Sequence, residues 1–211
     1  MQPFLIGLTG GLGAGKTTAA EVLAELGAEV VSGDELGKQV LEGNPDLLNR
    51  VRERFGKEVF SADGMLLRRA LGERVFARPE DARWLTGLTF PDIYRLWKQA
   101  VEKSGRDAVV LDAALIFEWK IENKFDLLLI VTADSHLAAQ RIAAQGRMSE
   151  TEAKSRLAHQ VPAEIKEQRG HVVLRNDGNI EDLRDRVRRF WMERVNPELK
   201  KRRQCGNVET L

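Results

Sequence analysis

Eight residues near the start of the chain, Gly10-Gly-Leu-Gly-Ala-Gly15-Lys16-Thr17, carry the chemistry that is easiest to read. They satisfy G-x-x-x-x-G-K-[ST], with an apolar run (Phe4–Leu8) before them and helical spacing after them, which is the context this motif requires. Glycines let a backbone wrap an anion with its N–H groups, and a helix that starts near Lys16 turns its positive end toward the same anion. Gly13, Ala14, Gly15, Lys16, Thr17 and Thr18 are therefore the expected phosphate cradle. Lys16 would bridge the terminal phosphates, and the Thr17 hydroxyl would ligate Mg²⁺. The loop alone leaves open whether the phosphoryl group passes to water, to a protein or to a small molecule.

Two carboxylates could complete such a site. Asp34 follows the second apolar run, where it could orient an alcohol, accept its proton and help to hold a metal. With Glu35 beside it, it also reads as an ordinary acid in a first helical turn. Asp112 closes the third apolar run, as a metal-holding acid or as the cap of a turn. Farther on, Arg141 and Arg147 flank Ile-Ala-Ala-Gln-Gly, and Arg156 follows. Arginines on a helical hairpin could close over a nucleotide, neutralise developing charge and exclude water; the plainer reading is a solvated helical face.

The elements that must position these residues follow from periodicity. Continuous apolar runs at 4–8, 28–31, 108–112, 126–132 and 172–174 predict five buried parallel strands. Helical spacing follows Lys16 to Leu26, with Gly27 as the stop, and recurs at Ser135–Ala144 and from Ile180 to Val195. Ser149 with Glu152 three residues on predicts a capping box opening a helix to Gln160. The result is an α/β chain with a parallel sheet flanked by helices and its ligand at the carboxyl ends of the strands. Residues 45–103 read as amphipathic helix throughout, broken at Gly56, Gly64, Pro79 and Pro91, and form a helical insert. The expected core is 1–44, 104–135 and 171–196, with a lid at about 136–170 and a polar, frayed tail at 201–211.

The bulk properties narrow the class. The chain has 211 residues, 43% hydrophobic and 31% charged, and suits one domain. A net charge of +1 offers no basic field for nucleic acid or anionic membrane, and the basic run Lys200–Arg203 reads as a solvated end. A single cysteine, Cys205, fits a reducing cytoplasm. No membrane span or secretory leader is expected. Trp84 and Trp97 are expected in helix core, and His136, His159 and His171 lack the spacing of a metal site.

Taken together, these stretches resemble the dephospho-CoA kinase family. The start Gly7-Leu-Thr-Gly-Gly-Leu-Gly-Ala-Gly-Lys-Thr17 is similar to its signature. So are Val31-Ser-Gly-Asp34-Glu-Leu-Gly-Lys38, Gly64-Met-Leu-Leu-Arg68-Arg-Ala-Leu71 with Val75-Phe76, and Asp112-Ala-Ala-Leu-Ile-Phe-Glu118. Gln140-Arg141, Ser149–Ala153, Arg156, Gln160 and Asn176-Asp-Gly178 complete a collinear match over residues of about 4 to 190. Ser32, Lys38, Phe90, Ala114 and Gln145 depart from the family pattern.

The resemblance implies a P-loop kinase that phosphorylates the ribose 3′-hydroxyl of dephospho-CoA, giving coenzyme A and ADP, with ATP and Mg²⁺. It puts Arg141, Arg147 and Asn176 near the nucleotide and makes Lys16 and Asp34 catalytic. Thr9, Asp34, Arg68 and Asp112 would bind the acceptor, with Thr17 and Asp112 toward the metal and the insert as acceptor lobe. Kinases for another nucleotide or small alcohol, and a silent nucleotide-binding regulator, are the alternatives at this point.

Overall fold

Runs of Val, Ile and Leu with no polar alternation call for cover on both faces. The three central strands they form are largely buried. The two edge strands, expected buried as well, are only half-buried because each lacks a neighbour on one side. In a computed structural model describing residues 2–144 and 160–206, these strands are β1 (Phe4–Gly10), β2 (Glu29–Ser32), β3 (Ala108–Asp112), β4 (Leu127–Thr132) and β5 (Val172–Arg175). All pair in parallel, in the order β2-β3-β1-β4-β5. The chain leaves β1 toward one edge and, after β3, crosses to the other. Leu8 is therefore flanked by Asp112 on β3 and Leu129 on β4. This reversal opens a crevice at the carboxyl ends of β1 and β3, the place where such sheets hold ligands.

Helix α1 (Lys16–Glu25) and, late in the chain, α8 (Ile180–Phe190) cover one face, with Ile6, Leu23, Val110, Leu129, Leu183 and Val187 packed between them. The other face carries α2 (Gly33–Gly43), α5 (Pro79–Lys103) and the segment 113–125, around Leu36, Ile93, Trp97, Leu111, Ile116 and Ile130. Helices α3 (Pro45–Phe55) and α4 (Arg68–Val75) close a further cluster with α2 and α5, built on Leu41, Val51, Phe55, Leu71 and Val75. Each such side chain contributes about 1.5–3 kcal/mol when fully buried, so the helical stretch holds itself together beside the sheet. Trp97 is core, 6.2 Å from Phe125, and Trp84 meets Phe55 edge-on. His171 is structural too: its Nδ1 accepts the backbone N–H of Leu128.

Four sequence expectations need correction. Pro91 does not break the helix; α5 runs through it from Pro79 to Lys103. A proline inside a helix loses one N–H donor and crowds the carbonyl four residues back, at a combined cost of roughly 3 kcal/mol. The carbonyl left without that donor belongs to Gly87, which is exposed to water, and burial of Ile93 and Trp97 just beyond offsets the cost. Residues 45–103 also contain an antiparallel bridge, Phe60 to Leu66, around the Gly64 turn.

The tail is not frayed over its described part. A π-turn at Trp191–Val195 leads into α9 (Asn196–Gly206), where Arg202 donates to the Pro3 carbonyl (3.1 Å) and the Asp126 carboxylate (2.6 Å) and lies over the Phe4 ring. Arg203 pairs with Asp107. These partners lie far away in sequence, so a short basic run gave no sign of them. Finally, helix α6 (Ser135–Ala144) is where it was expected, but α7 (Ala163–Arg169) was not foreseen. The helix expected from Ser149 lies outside the described residues, apart from Gln160 at its end.

Candidate active site

Strand β1 delivers the chain to the phosphate loop along a path only glycine allows. A Cβ at Gly10 would run into the Val131 carbonyl on β4. Gly13 (φ 74°) and Gly15 (φ 96°) sit in the left-handed region, where a side chain is strained. Gly15 is the N-cap of α1 and supplies no side-chain cap, so the first-turn N–H groups and the positive helix end face the loop. Ala14 is buried, its N–H bonded to the Gly11 carbonyl at 3.2 Å. Thr17 is exposed and Thr18 half-buried on the first turn of α1. This cradle suits a polyphosphate. Gly15→Ala adds a methyl that meets Asn176 and Leu183 at an unfavourable φ, so it should lower stability by about 1–3 kcal/mol. A melting curve and an ATP titration should show both stability and affinity falling; an unchanged pair would mean that the loop relaxes freely.

Lys16 reaches across to Asp112 at the end of β3, and the two form an ion pair. Burial pushes the Asp112 carboxyl up, Lys16 pulls it back, and the Asp34 charge adds to the rise. The two carboxylates therefore share one field beside the loop.

On the opposite side, Asn176 is buried just past β5 and donates from Nδ2 to the Ala14 carbonyl at 2.8 Å. Its Oδ1 is buried without a partner. Arg141, on α6, donates to the carbonyls of Asn176 (2.8 Å) and Gly178 (2.9 Å). Two residues expected near the nucleotide are thus tied to each other and to the loop. Arg147 and Arg156, the other arginines expected on a lid, lie outside the described residues.

Across the loop from Asn176, the Ser32 hydroxyl accepts the Glu35 N–H (3.3 Å) and caps α2. The departure at Ser32 thereby has a physical use: it starts the helix that carries Asp34 in its first turn. Asp34 is exposed and lines a cavity of about 780 Å³ that extends from Leu12 in the phosphate loop to Arg68 on α4 and Phe90 on α5. Lys38, Arg68 and Arg83 bring positive charge to its lining, Asp34 and Glu118 negative. Arg68 lies 3.4 Å from Glu42. Phe90 stacks on Trp119 with ring centroids 5.5 Å apart, giving an aromatic wall.

Thr9 is not brought to the cavity. It is fully buried, and its hydroxyl donates to the Ala114 carbonyl at 3.3 Å, bracing the wall from behind. Arg83, Glu118 and Gln160 line the cavity without having been assigned a role from sequence. The signal for Arg83 was its spacing: Pro79, Ala82, Arg83, Thr86 and Phe90 share one face of α5. Among the described residues no group of three or more His, Cys, Asp or Glu could hold a metal alone. The hydroxyl of Thr17 and the carboxylate of Asp112 are nevertheless hard oxygen donors, and Mg²⁺ ordinarily takes one or two of these plus substrate phosphates. None of the described helices is long and apolar enough to cross a membrane.

The family model for dephospho-CoA kinase (CoaE) matches residues 4–182. A dephospho-CoA kinase from Geobacter sulfurreducens is 33% identical, over 90% of this chain and 98% of that protein. A crystal structure from Thermus thermophilus superposes with a TM-score of 0.78 at 30% identity, covering 92% of this chain and 99% of its own. Dephospho-CoA kinase from Campylobacter jejuni shares the fold, with a TM-score of 0.63 at 24% identity over 90% of this chain and 96% of that one. The chain belongs to the dephospho-CoA kinase family.

Proposed function

We propose that this chain completes coenzyme A by moving the terminal phosphoryl group of ATP to the ribose 3′-hydroxyl of dephospho-CoA, with the division of labour among its residues as follows. The phosphate loop and Lys16 hold the ATP phosphates, and Lys16 exchanges its contact with Asp112 for them. Asp34 orients the 3′-hydroxyl and takes its proton. The ribose oxygen forms a bond to the terminal phosphorus, the bond from that phosphorus to the bridging oxygen breaks, and ADP departs. Thr17 and Asp112 would hold Mg²⁺, which when bound neutralises charge on the phosphates. Lys38 and Arg68 suit the diphosphate of the acceptor, and the apolar wall around Phe90 suits its less polar part. Most of the rate gain then comes from positioning and fixed charge. A cytoplasmic setting belongs to the same proposal.

One observation carries this reading: Leu12 of the phosphate loop, Asp34 and Arg68 line a single cavity. Donor and acceptor can therefore meet without leaving the protein. The test is direct. Purified protein with ATP, Mg²⁺ and dephospho-CoA should yield ADP and coenzyme A in equal amounts. Turnover with adenylate or another nucleoside, but not with dephospho-CoA, would mean a different acceptor. ATP binding without turnover of any acceptor would mean a regulator.

A further inference from the structure

Lys166, on α7, is 2% exposed, although lysine is almost never buried so deeply. Its three N–H donors must find partners inside the protein. The ammonium donates to the Ala114 carbonyl (3.1 Å) and to Gln160 Oε1 (3.4 Å). Its nearest carboxylate oxygen, Glu118 Oε1, stands 4.0 Å away and instead accepts the Val161 N–H at 2.6 Å. The other Glu118 oxygen is buried without a partner. Burial pushes the lysine down from its usual range, with Glu118 pulling it up and Lys16 pushing it down. It thus lies within the field of the phosphate-loop lysine.

For packing alone this arrangement is expensive. Replacing a whole buried ion pair by apolar groups is often neutral or stabilising, whereas removing the lysine alone would leave the Glu118 carboxylate buried without its cation. What the ammonium supplies instead is a junction. The Ala114 carbonyl receives both Lys166 and the Thr9 hydroxyl from the end of β1. Gln160 and Val161 are the residues through which the chain enters α7. Ala114, Glu118 and Gln160 all line the cavity that holds Asp34.

We propose that Lys166 is a positioning residue for the acceptor, holding Ala114, Glu118 and Gln160 in register as one wall of the cavity. The inference rests on that cavity being the dephospho-CoA site. It is tested by steady-state kinetics on wild type, Lys166→Met and Lys166→Arg, varying ATP and dephospho-CoA separately, with melting temperatures measured alongside.

In Lys166→Met the KM for dephospho-CoA should rise by about 10- to 100-fold, with the KM for ATP unchanged. The melting temperature should fall, because the Glu118 carboxylate is left without its cation. Lys166→Arg keeps the charge and should recover part of the loss. An unchanged KM for dephospho-CoA overturns the inference. So does an equal rise for both substrates, or a fall in kcat alone that tracks a lower melting temperature. If Lys166→Met does not fold, Lys166→Arg must show the same selective rise in smaller measure, and its absence is equally fatal. Wild type that binds ATP but leaves dephospho-CoA untouched sinks both the acceptor assignment and this inference. Wild-type turnover with insensitive Lys166 variants sinks only the latter.

Discussion

Lys16→Ala should abolish phosphoryl transfer while leaving the protein folded. The lysine lies within the phosphate-loop motif and is paired with Asp112. Removing a preorganised charge-stabilising group of this kind lowers turnover by roughly 10²- to 10³-fold. Truncation also strips Asp112 of its partner, which raises the question of stability. Burial already pushes the Asp112 carboxyl up, and Lys16 opposes that push. Without the lysine the carboxyl rises further and takes a proton more readily, so the uncompensated charge is relieved. The pair is also partly open to solvent, with side chains 20% and 14% exposed, which lets water stand in. The melting temperature should therefore change little, and turnover should be lost. Near-normal turnover in the folded variant would remove Lys16 from the mechanism.

How much of this was readable beforehand depends on the distance over which each feature is specified. β3 and α6 match their expected bounds because apolar runs and helical periodicity are local. The phosphate loop was legible for the same reason: its glycines, lysine and threonine are contiguous, and their backbone demands are intrinsic. Asp34 and Asp112 are candidate site acids in the sequence because one follows a strand and the other closes one, although their shared field needs the sheet order. What stayed hidden depends on partners remote in sequence. Thr9 has the composition of a substrate contact, but its hydroxyl is taken by Ala114, 105 residues away. Arg202 looked like part of a solvated end until Pro3 and Asp126 were brought beside it. Pro91 carries a strong local stop signal, yet tertiary burial of Ile93 and Trp97 overrides it. Lys166 sits among polar residues at 163–169 with no pattern to mark it as buried.

Asp34→Asn tests the acceptor half of the reaction, which local motifs specify less firmly than the donor half. The substitution keeps shape and removes both the charge and the proton acceptor. Loss of a first-turn acid costs about 0.3–1 kcal/mol through the helix dipole, and Ser32 still caps α2, so the fold should persist. A general base contributes about 10²- to 10⁴-fold; turnover should fall on that scale while ATP affinity holds. An indirect route through Asp112 predicts the opposite sign. The Asp34 charge helps to push the Asp112 carboxyl up, so neutralising Asp34 leaves Asp112 more readily ionised and better able to pair with Lys16 or a cation. A loss of turnover therefore reports on Asp34 itself. Equal losses in turnover and in Mg²⁺-dependent ATP affinity would instead assign Asp34 to the metal, and the acceptor hydroxyl would need another base.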